Sequence, residues 1–435
     1  MFDLTLKIKG FPLDRARQRL EEIQSMTSQE HQQYIERQKL EIANYHLKNN
    51  PYYQELVGAQ SITSWGDLPI LTKSDLQRPL AERLSKGYSK GSVYVNKTSG
   101  SSGHPFIFAK DKYCHALTWA YIIKSFGQFE INFNSSYQAR FYGIPLSFPG
   151  YQKERLKDAL SKRYRFPIFD LQDSELEKIL EHFKSKKFDY INGYTSSIVL
   201  FAKFLKARGI ILTDICPSLR LCVVTSEMLF DSDKKLMENT FGVPVINEYG
   251  ASELDLIAFT NPADEFVLNS DTLFTEVVDE AGNNVPYGES GRLIITSLYN
   301  KAHPFIRYEI GDIGIINYSE NTNRYILEKL IGRTNDIAHL PSGKTVPGLT
   351  FYYVTKSVIE DSGKVKEFVV MQKALNQFLI RYVSQEPLLE EEKQEMVKAL
   401  ETYLEPGLIL DFEHCEKIQR SASGKLKQFS SEYTP

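Results

Sequence analysis

The run Leu219-Arg220-Leu221-Cys222-Val223-Val224 constrains the fold of this chain most. Apart from one arginine it is apolar throughout, without the alternation of a strand that keeps one face wet. Such a run suits a strand buried on both faces, as in a parallel sheet covered by helices. Its surroundings repeat the arrangement. Tyr190-Ile191 leads into a turn, Asn192-Gly193-Tyr194-Thr195, and then an apolar helix over 196–208 closed by Gly209. A helix over 231–241 follows the run, and Val243-Pro244-Val245-Ile246-Asn247-Glu248-Tyr249 reads as the next strand. Strands alternating with helices predict an α/β domain with a mainly parallel sheet.

Outside this region the pattern changes. Residues 13–48 read as helical, ended by Asn49-Asn50-Pro51, and 174–187 as a charged amphipathic helix. From about 265 to 330, short strands alternate with Gly/Asn turns such as Ala281-Gly282-Asn283-Asn284, which predicts a β-rich subdomain. After Gly332 comes a small α/β unit with strands near 366–371, 376–383 and 408–414 and a helix near 388–404. The expected division is a large N-terminal domain, 1–332, and a small C-terminal domain, 333–435. A chain of 435 residues is long enough for both.

Charge and cysteine content narrow the function classes. A net charge of −3 gives no broad attraction to nucleic acid or membranes. The cysteines, Cys114, Cys216, Cys222 and Cys415, form no C-x-x-C pair, which predicts reduced structural thiols and no cysteine zinc site. There is no signal-peptide pattern and no run of about 18 apolar residues, so a cytoplasmic protein is expected.

Five clusters carry plausible chemistry. Thr98-Ser99-Gly100-Ser101-Ser102-Gly103-His104-Pro105 follows the strand-like Ser92-Val93-Tyr94-Val95. Its glycines allow close backbone approach, and its amides and hydroxyls can converge on a phosphate. It is neither a Walker A loop nor a G-x-G-x-x-G turn; an ordinary surface turn is the competing reading. Glu248-Tyr249-Gly250-Ala251-Ser252-Glu253 follows an apolar strand, at the carboxyl end where ligands bind in parallel sheets. A ring can stack on Tyr249 and approach Gly250, and Glu253 offers an oxygen ligand for Mg²⁺; a solvated glutamate in a loop is the bland alternative. In Tyr308-Glu309-Ile310-Gly311-Asp312 a carboxylate at a glycine turn can accept ribose hydroxyls, or simply end a strand. Arg333, in Gly332-Arg333-Thr334-Asn335-Asp336, can contact ribose or phosphate, or stand as a linker arginine. Gln419-Arg420-Ser421-Ala422-Ser423-Gly424-Lys425 can present one lysine to a site, or form a basic tail.

In this order and spacing the clusters resemble the adenylate-forming superfamily of acyl-CoA synthetases, amino-acid-activating domains and luciferases. The length and the N-terminal helical region look closest to the phenylacetate–CoA ligase-like branch, which includes CapK-like proteins of capsular polysaccharide synthesis. The resemblance implies a two-step ligase. A small carboxylic acid attacks the α-phosphate of ATP to give acyl-AMP and pyrophosphate, and a thiol, coenzyme A by default, displaces AMP as the C-terminal domain rotates. It implies that Thr98, Ser99, Gly100, Ser101, Ser102 and Gly103 hold phosphates, and that Tyr249, Gly250, Ala251 and Ser252 line the adenine site. Glu253 would help bind Mg²⁺, Asp312 and Arg333 would hold ribose, and Lys425 would neutralise charge at the α-phosphate. Two alternatives stay open: an amine acceptor, giving an amide, and a nucleotide-binding protein without turnover.

The chain also departs from the family pattern. Phe106 stands where a lysine is common, Lys110 and Lys112 lie nearby without an assigned role, and Asn335 occupies the usual hinge position. Residues 254–280 hold no Cys or His, so no zinc is expected there. For the acid pocket the candidates are Phe141-Tyr142-Gly143, Asn192-Gly193-Tyr194 and Ser226. The sequence leaves the acid, the acceptor and the oligomeric state open.

Overall fold

The computed structural model describes residues 2–58, 62–98, 106–142, 157–159, 161–168, 171–333, 337–348, 350–352, 354–355, 365–421 and 424–433. Among these, one sheet holds eleven strands. Its order is Leu273–Val278, Ser290–Ser297, Tyr308–Ser319, Arg324–Arg333, Phe266–Leu268, Asp255–Thr260, Val245–Ala251, Leu221–Thr225, Tyr190–Tyr194, Gln138–Phe141 and Arg163–Phe166. The last five pair in parallel, and from Val245–Ala251 back to Leu273–Val278 every pairing is antiparallel. The α/β class therefore holds, and the parallel part and the β-rich part are one continuous sheet with Val245–Ala251 as the changeover strand.

Leu221–Thr225 is buried at every position. Cys222 and Val224 pack with helices Asp173–Ser185, Thr195–Lys206 and Asp231–Phe241 on one face. Leu221 and Val223 pack with Leu13–Gln24 and Lys112–Gly127 on the other. Successive side chains of a strand point to opposite faces, so an all-apolar run is what a sheet covered on both sides requires.

The helical stretch expected over 13–48 is two helices, Leu13–Gln24 and Ser28–Asn49. The break is chemical. Thr27 Oγ1 accepts from the Glu30 amide, and the Glu30 carboxylate accepts from the Thr27 amide at 2.8 Å, a capping box that starts a new helix. Apolar periodicity alone misses a break this short. Likewise, Asn192-Gly193-Tyr194 is not a turn. It lies within strand Tyr190–Tyr194, and the helix begins directly at Thr195.

The C-terminal region has its own four-stranded sheet, in the order Ile409–His414, Gln377–Ser384, Val365–Ala374, Phe429–Ser431, with helix Glu390–Tyr403 against it. Its core also receives Phe230, from beside helix Asp231–Phe241, whose ring stacks on Tyr352 with centroids 5.3 Å apart. Lys203 Nζ donates to the carbonyls of Val365 and Lys366 at 3.3 and 2.9 Å. No helix among the described residues is long and apolar enough to cross a membrane.

Gly193 lies opposite Phe141 in the parallel pairing. A Cβ there would stand 2.3 Å from the Phe141 carbonyl oxygen, which is backbone and has no rotamer to escape into. Gly193→Ala is therefore expected to lower the unfolding free energy by about 1–3 kcal/mol, read as a shift in urea midpoint at unchanged slope.

Candidate functional site

The site is built at the changeover strand. Tyr249, Gly250 and Ala251 do not lie in a loop beyond the strand, because Val245–Ala251 runs through them. The chain then reverses over 252–254 into Asp255–Thr260. Gly250 is needed here, since a Cβ would meet the Asp255 carbonyl oxygen at 2.3 Å. Ser252 is exposed in the turn and Glu253 is buried.

Asp312 lies inside the long strand Tyr308–Ser319 rather than at a strand-end turn, with Gly311 before it at φ +85°. Arg333 ends strand Arg324–Arg333 and faces Asp312 in the register, so it is a cross-strand partner rather than the linker arginine of the bland reading. Its Nε donates to Asp312 Oδ1 at 3.1 Å. From the changeover strand, the Tyr249 hydroxyl donates to Asp312 Oδ2 at 2.6 Å. The hairpin carrying Asp312 pairs with Phe266–Leu268 at Ile326 opposite Val267, near its other end. Nearby, the Tyr308 hydroxyl donates to Glu253 Oε1 at 2.9 Å. Burial, then the facing carboxylates, hold both phenols protonated far above their usual range.

Lys425 arrives from the C-terminal region. Burial pushes its ammonium below the usual lysine range, Arg333 adds to this, and Glu227 and Asp312 oppose it. One lysine is thus within electrostatic reach of the same aspartate that Tyr249 and Arg333 hold. Its Nζ stands 5.8 Å from the centre of the Tyr194 ring.

Glu227 fixes that arrangement. One carboxylate oxygen accepts from the Leu426 amide at 2.7 Å, beside Lys425, and the other from the Ser196 amide at 2.7 Å, in the first turn of helix Thr195–Lys206. Arg420 adds a second tie, donating to Ser196 Oγ at 2.7 Å and pairing with Glu367. Sequence reasoning singled out Ser226 and passed over Glu227. The available signal was its position just past the carboxyl end of the buried strand. Ser226 holds φ +69°, a conformation rare outside glycine that turns the chain so that Glu227 points back across the strand ends.

Other expected residues fall as follows. The Thr98 amide donates to the Phe106 carbonyl at 2.9 Å and Thr98 Oγ1 accepts from the Phe106 amide at 3.1 Å, closing the neck of the Ser/Gly loop. Ser99, Gly100, Ser101, Ser102 and Gly103 lie outside the described residues, as do Gly143, Asn335 and Asp336. Phe106 is buried against Phe108 and Phe305, so its position faces the core. Lys110 is buried and paired with Asp255. The cysteines are free thiols, three of them buried.

A second group lines the ends of the parallel strands. The Arg140 guanidinium lies 4.3 Å from the Tyr142 ring centre, and the Tyr142 and Tyr194 rings are 4.8 Å apart. Burial pushes the Glu248 carboxyl up to about 7, against the opposing effects of the Thr225 hydroxyl and Arg140.

These residues fit a nucleotide and a divalent cation. Asp312 accepts from Tyr249 and Arg333, and a carboxylate is the acceptor chemistry that suits ribose hydroxyls. Glu253 presents one buried carboxylate, which suits Mg²⁺ bound mainly through substrate phosphates. Among the described residues no group of three or more His, Cys, Asp or Glu is arranged to hold a metal ion.

No protein-family model matches the chain. It is 24% identical over 323 residues to protein CapK of Staphylococcus aureus, covering 68% of this chain and 66% of that protein. It is 26% identical over 167 residues to the phenylacetate–coenzyme A ligase of Thermus thermophilus, covering 37% and 36%. The matched regions thus span about two thirds of the first relative and just over a third of the second. In structure it resembles 2-hydroxyisobutyryl-CoA ligase in complex with its acyl-AMP, with TM-score 0.72, 18% identity and coverage of 94% and 90%. It also resembles the amide bond synthetase McbA of Marinactinospora thermotolerans, with TM-score 0.54, 15% identity and coverage of 77% and 68%. The fold is that of the adenylate-forming ligases. In sequence the chain is similar to CapK and to phenylacetate–CoA ligases, the relatives that define the phenylacetate–CoA ligase-like branch.

Glu248 yields a test of the site's electrostatics. In the folded chain its carboxyl keeps a proton up to about pH 7, whereas unfolded it releases the proton near 4.3. Folding therefore takes up a proton between those values, and the contribution of Glu248 to stability falls as pH rises through them. Glu248→Gln should show a smaller loss of unfolding free energy between about pH 5 and about pH 8 than the parent chain, measured by denaturant titration at each pH.

Proposed function

We propose that this protein is an ATP-dependent, AMP-forming carboxylate ligase. The observation that carries this reading is that Lys425, from the C-terminal region, lies within electrostatic reach of Arg333 and of Asp312, the carboxylate that Tyr249 and Arg333 hold on the large sheet. In the first step a carboxylate oxygen of the acid attacks the α-phosphorus of ATP, the bond to the β-phosphate bridging oxygen breaks, and pyrophosphate leaves. Asp312 accepts the ribose hydroxyls. Tyr249 and Arg333 hold the Asp312 carboxylate still for that task, and Gly250, Ala251 and Ser252 flank the adenine. Thr98 and residues 99–103 donate to the phosphates. Mg²⁺ bound at Glu253 would draw negative charge off the phosphates. Lys425 neutralises charge developing between the acid and the α-phosphate. Its half-buried setting strengthens that effect, because charges interact more strongly away from bulk water.

In the second step a nucleophile attacks the acyl carbon, the acyl–phosphate bond breaks and AMP leaves. Coenzyme A is the acceptor we assign first, on the similarity to phenylacetate–CoA ligases. Similarity to CapK, and a fold shared with an amide bond synthetase, favour an amine acceptor as the second reading. Lys425 and Glu227 lie on opposite sides of the 332/333 division. The step between the two reactions is accordingly a rotation of 333–435 that breaks the Glu227–Leu426 contact.

A screen of carboxylic acids with ATP, Mg²⁺ and hydroxylamine traps the acyl-adenylate whatever the acceptor, and silence across aryl, fatty, hydroxy and amino acids overturns the proposal. With an active acid, coenzyme A and amines tested separately separate thioester from amide formation. Lys425→Ala should slow ATP–pyrophosphate exchange by about 10²–10³-fold and leave acyl transfer from supplied acyl-AMP nearly intact. Glu227→Ala should depress exchange as well, because Lys425 loses its anchor. Arg420→Ala, which keeps the Glu227–Leu426 contact, should cost less in the same assay.

A further inference from the structure

The parallel strands end in a row that the adenylation chemistry above does not use. Tyr194 stands opposite Thr225, and Thr225 opposite Glu248, in the strand register. Tyr142 follows Phe141, which pairs with Gly193, and its ring is 4.8 Å from that of Tyr194. The row therefore runs Tyr142, Tyr194, Thr225, Glu248 across four adjacent strands, on the side where Lys425 stands 5.8 Å from the Tyr194 ring centre.

A carboxylic acid whose carboxylate faces Lys425 has this row of side chains beside it. Two aromatic rings can flank a carbon skeleton there, but the row ends on a half-buried carboxylate. The Thr225 hydroxyl, beside Glu248 in the register, bears on that carboxyl, and a carboxylate has further acceptor positions. Arg140 sits one residue pair deeper. Its guanidinium is spread on the Tyr142 ring, and its buried Nε has no hydrogen-bond partner among the described residues. No ion pair joins Arg140 to Glu248 among the described residues. An alkyl or plain aryl tail would cover these groups without partnering them, and a polar group buried without a partner is costly. A tail that donates to Glu248 removes that cost.

Building on the ligase reading, we propose that the acid this protein activates carries a hydrogen-bond donor, a hydroxyl or amino group, on its tail, and that Glu248 receives it. Tyr142 and Tyr194 hold the carbon skeleton between that group and the reacting carboxylate. Glu248 is then a specificity residue, remote from the bond that forms.

ATP–pyrophosphate exchange with matched acids tests this: butyrate against 3-hydroxybutyrate, propionate against β-alanine, phenylacetate against its 4-hydroxy and 4-amino forms. Assayed above about pH 8, where the Glu248 carboxyl has released its proton, in at least one pair the parent protein should prefer the donor-bearing acid by roughly ten- to a hundredfold in kcat/KM, as expected of a hydrogen bond to a charged group. Glu248→Leu should narrow or invert that ratio, mainly through KM, and Glu248→Gln should fall between. Equal or better use of the plain acid in every active pair overturns this inference and leaves the ligase reading standing. Exchange with no acid at all overturns both. The ratios in the parent protein decide the matter alone, so a variant that fails to fold does not protect the inference.

Discussion

The carboxylate of Glu227 is the contact on which the assembled site depends. Its two oxygens accept from amides at opposite ends of the chain's organisation, Ser196 at the start of a helix on the large sheet and Leu426 beside Lys425. A charged acceptor shared by two backbone donors is a strong tie, and its geometry is directional. Without it, the segment of Lys425 would lose its direct tie to the helix start at Ser196. The supporting contacts, Phe230 on Tyr352, Lys203 on the carbonyls of Val365 and Lys366, and Arg420 on Ser196, draw the same two surfaces together. Among the described residues they are largely polar, which suits a surface that forms and separates during a reaction cycle.

The large sheet does the complementary work of bringing distant strands to one point. Val245–Ala251 ends the parallel half and begins the antiparallel half, and it carries Glu248 and Tyr249 next to each other. Tyr249 turns to Asp312, the side proposed for the nucleotide, and Glu248 to Thr225 and the parallel strand ends. Alternation along a strand sends neighbouring side chains apart. Two consecutive residues can thus serve two compartments of one site.

Much of this was legible in the chain. The apolar run at Leu221–Val224 named its own strand and the covered sheet around it, and the five clusters named Tyr249, Glu253, Asp312, Arg333 and Lys425. What the sequence blurred was local. A capping box at Thr27 splits a helix without disturbing its apolar period, and Asn192-Gly193-Tyr194 resembles a turn although Gly193 serves close strand packing. Asp312 resembled a strand-end turn residue because Gly311 precedes it, yet the pair sits within a long strand. Lys110 and Phe106 drew notice as nearby or replaced positions, and folding gives them to an ion pair and to the core.

By itself the sequence determined the elements and the chemical inventory. Burial periods, caps and glycines act over a few residues, and the identity of an acid or a base does not depend on where it ends up. Only the tertiary structure decided the pairings: that Asp312 is held by Tyr249 and Arg333, that Glu227 anchors the loop of Lys425, and that Glu248 and Arg140 share the end of the parallel strands. Those contacts join residues far apart in the chain through strand register and the packing of two sheets. Register and packing are settled by the whole core together, so no short stretch of sequence records them.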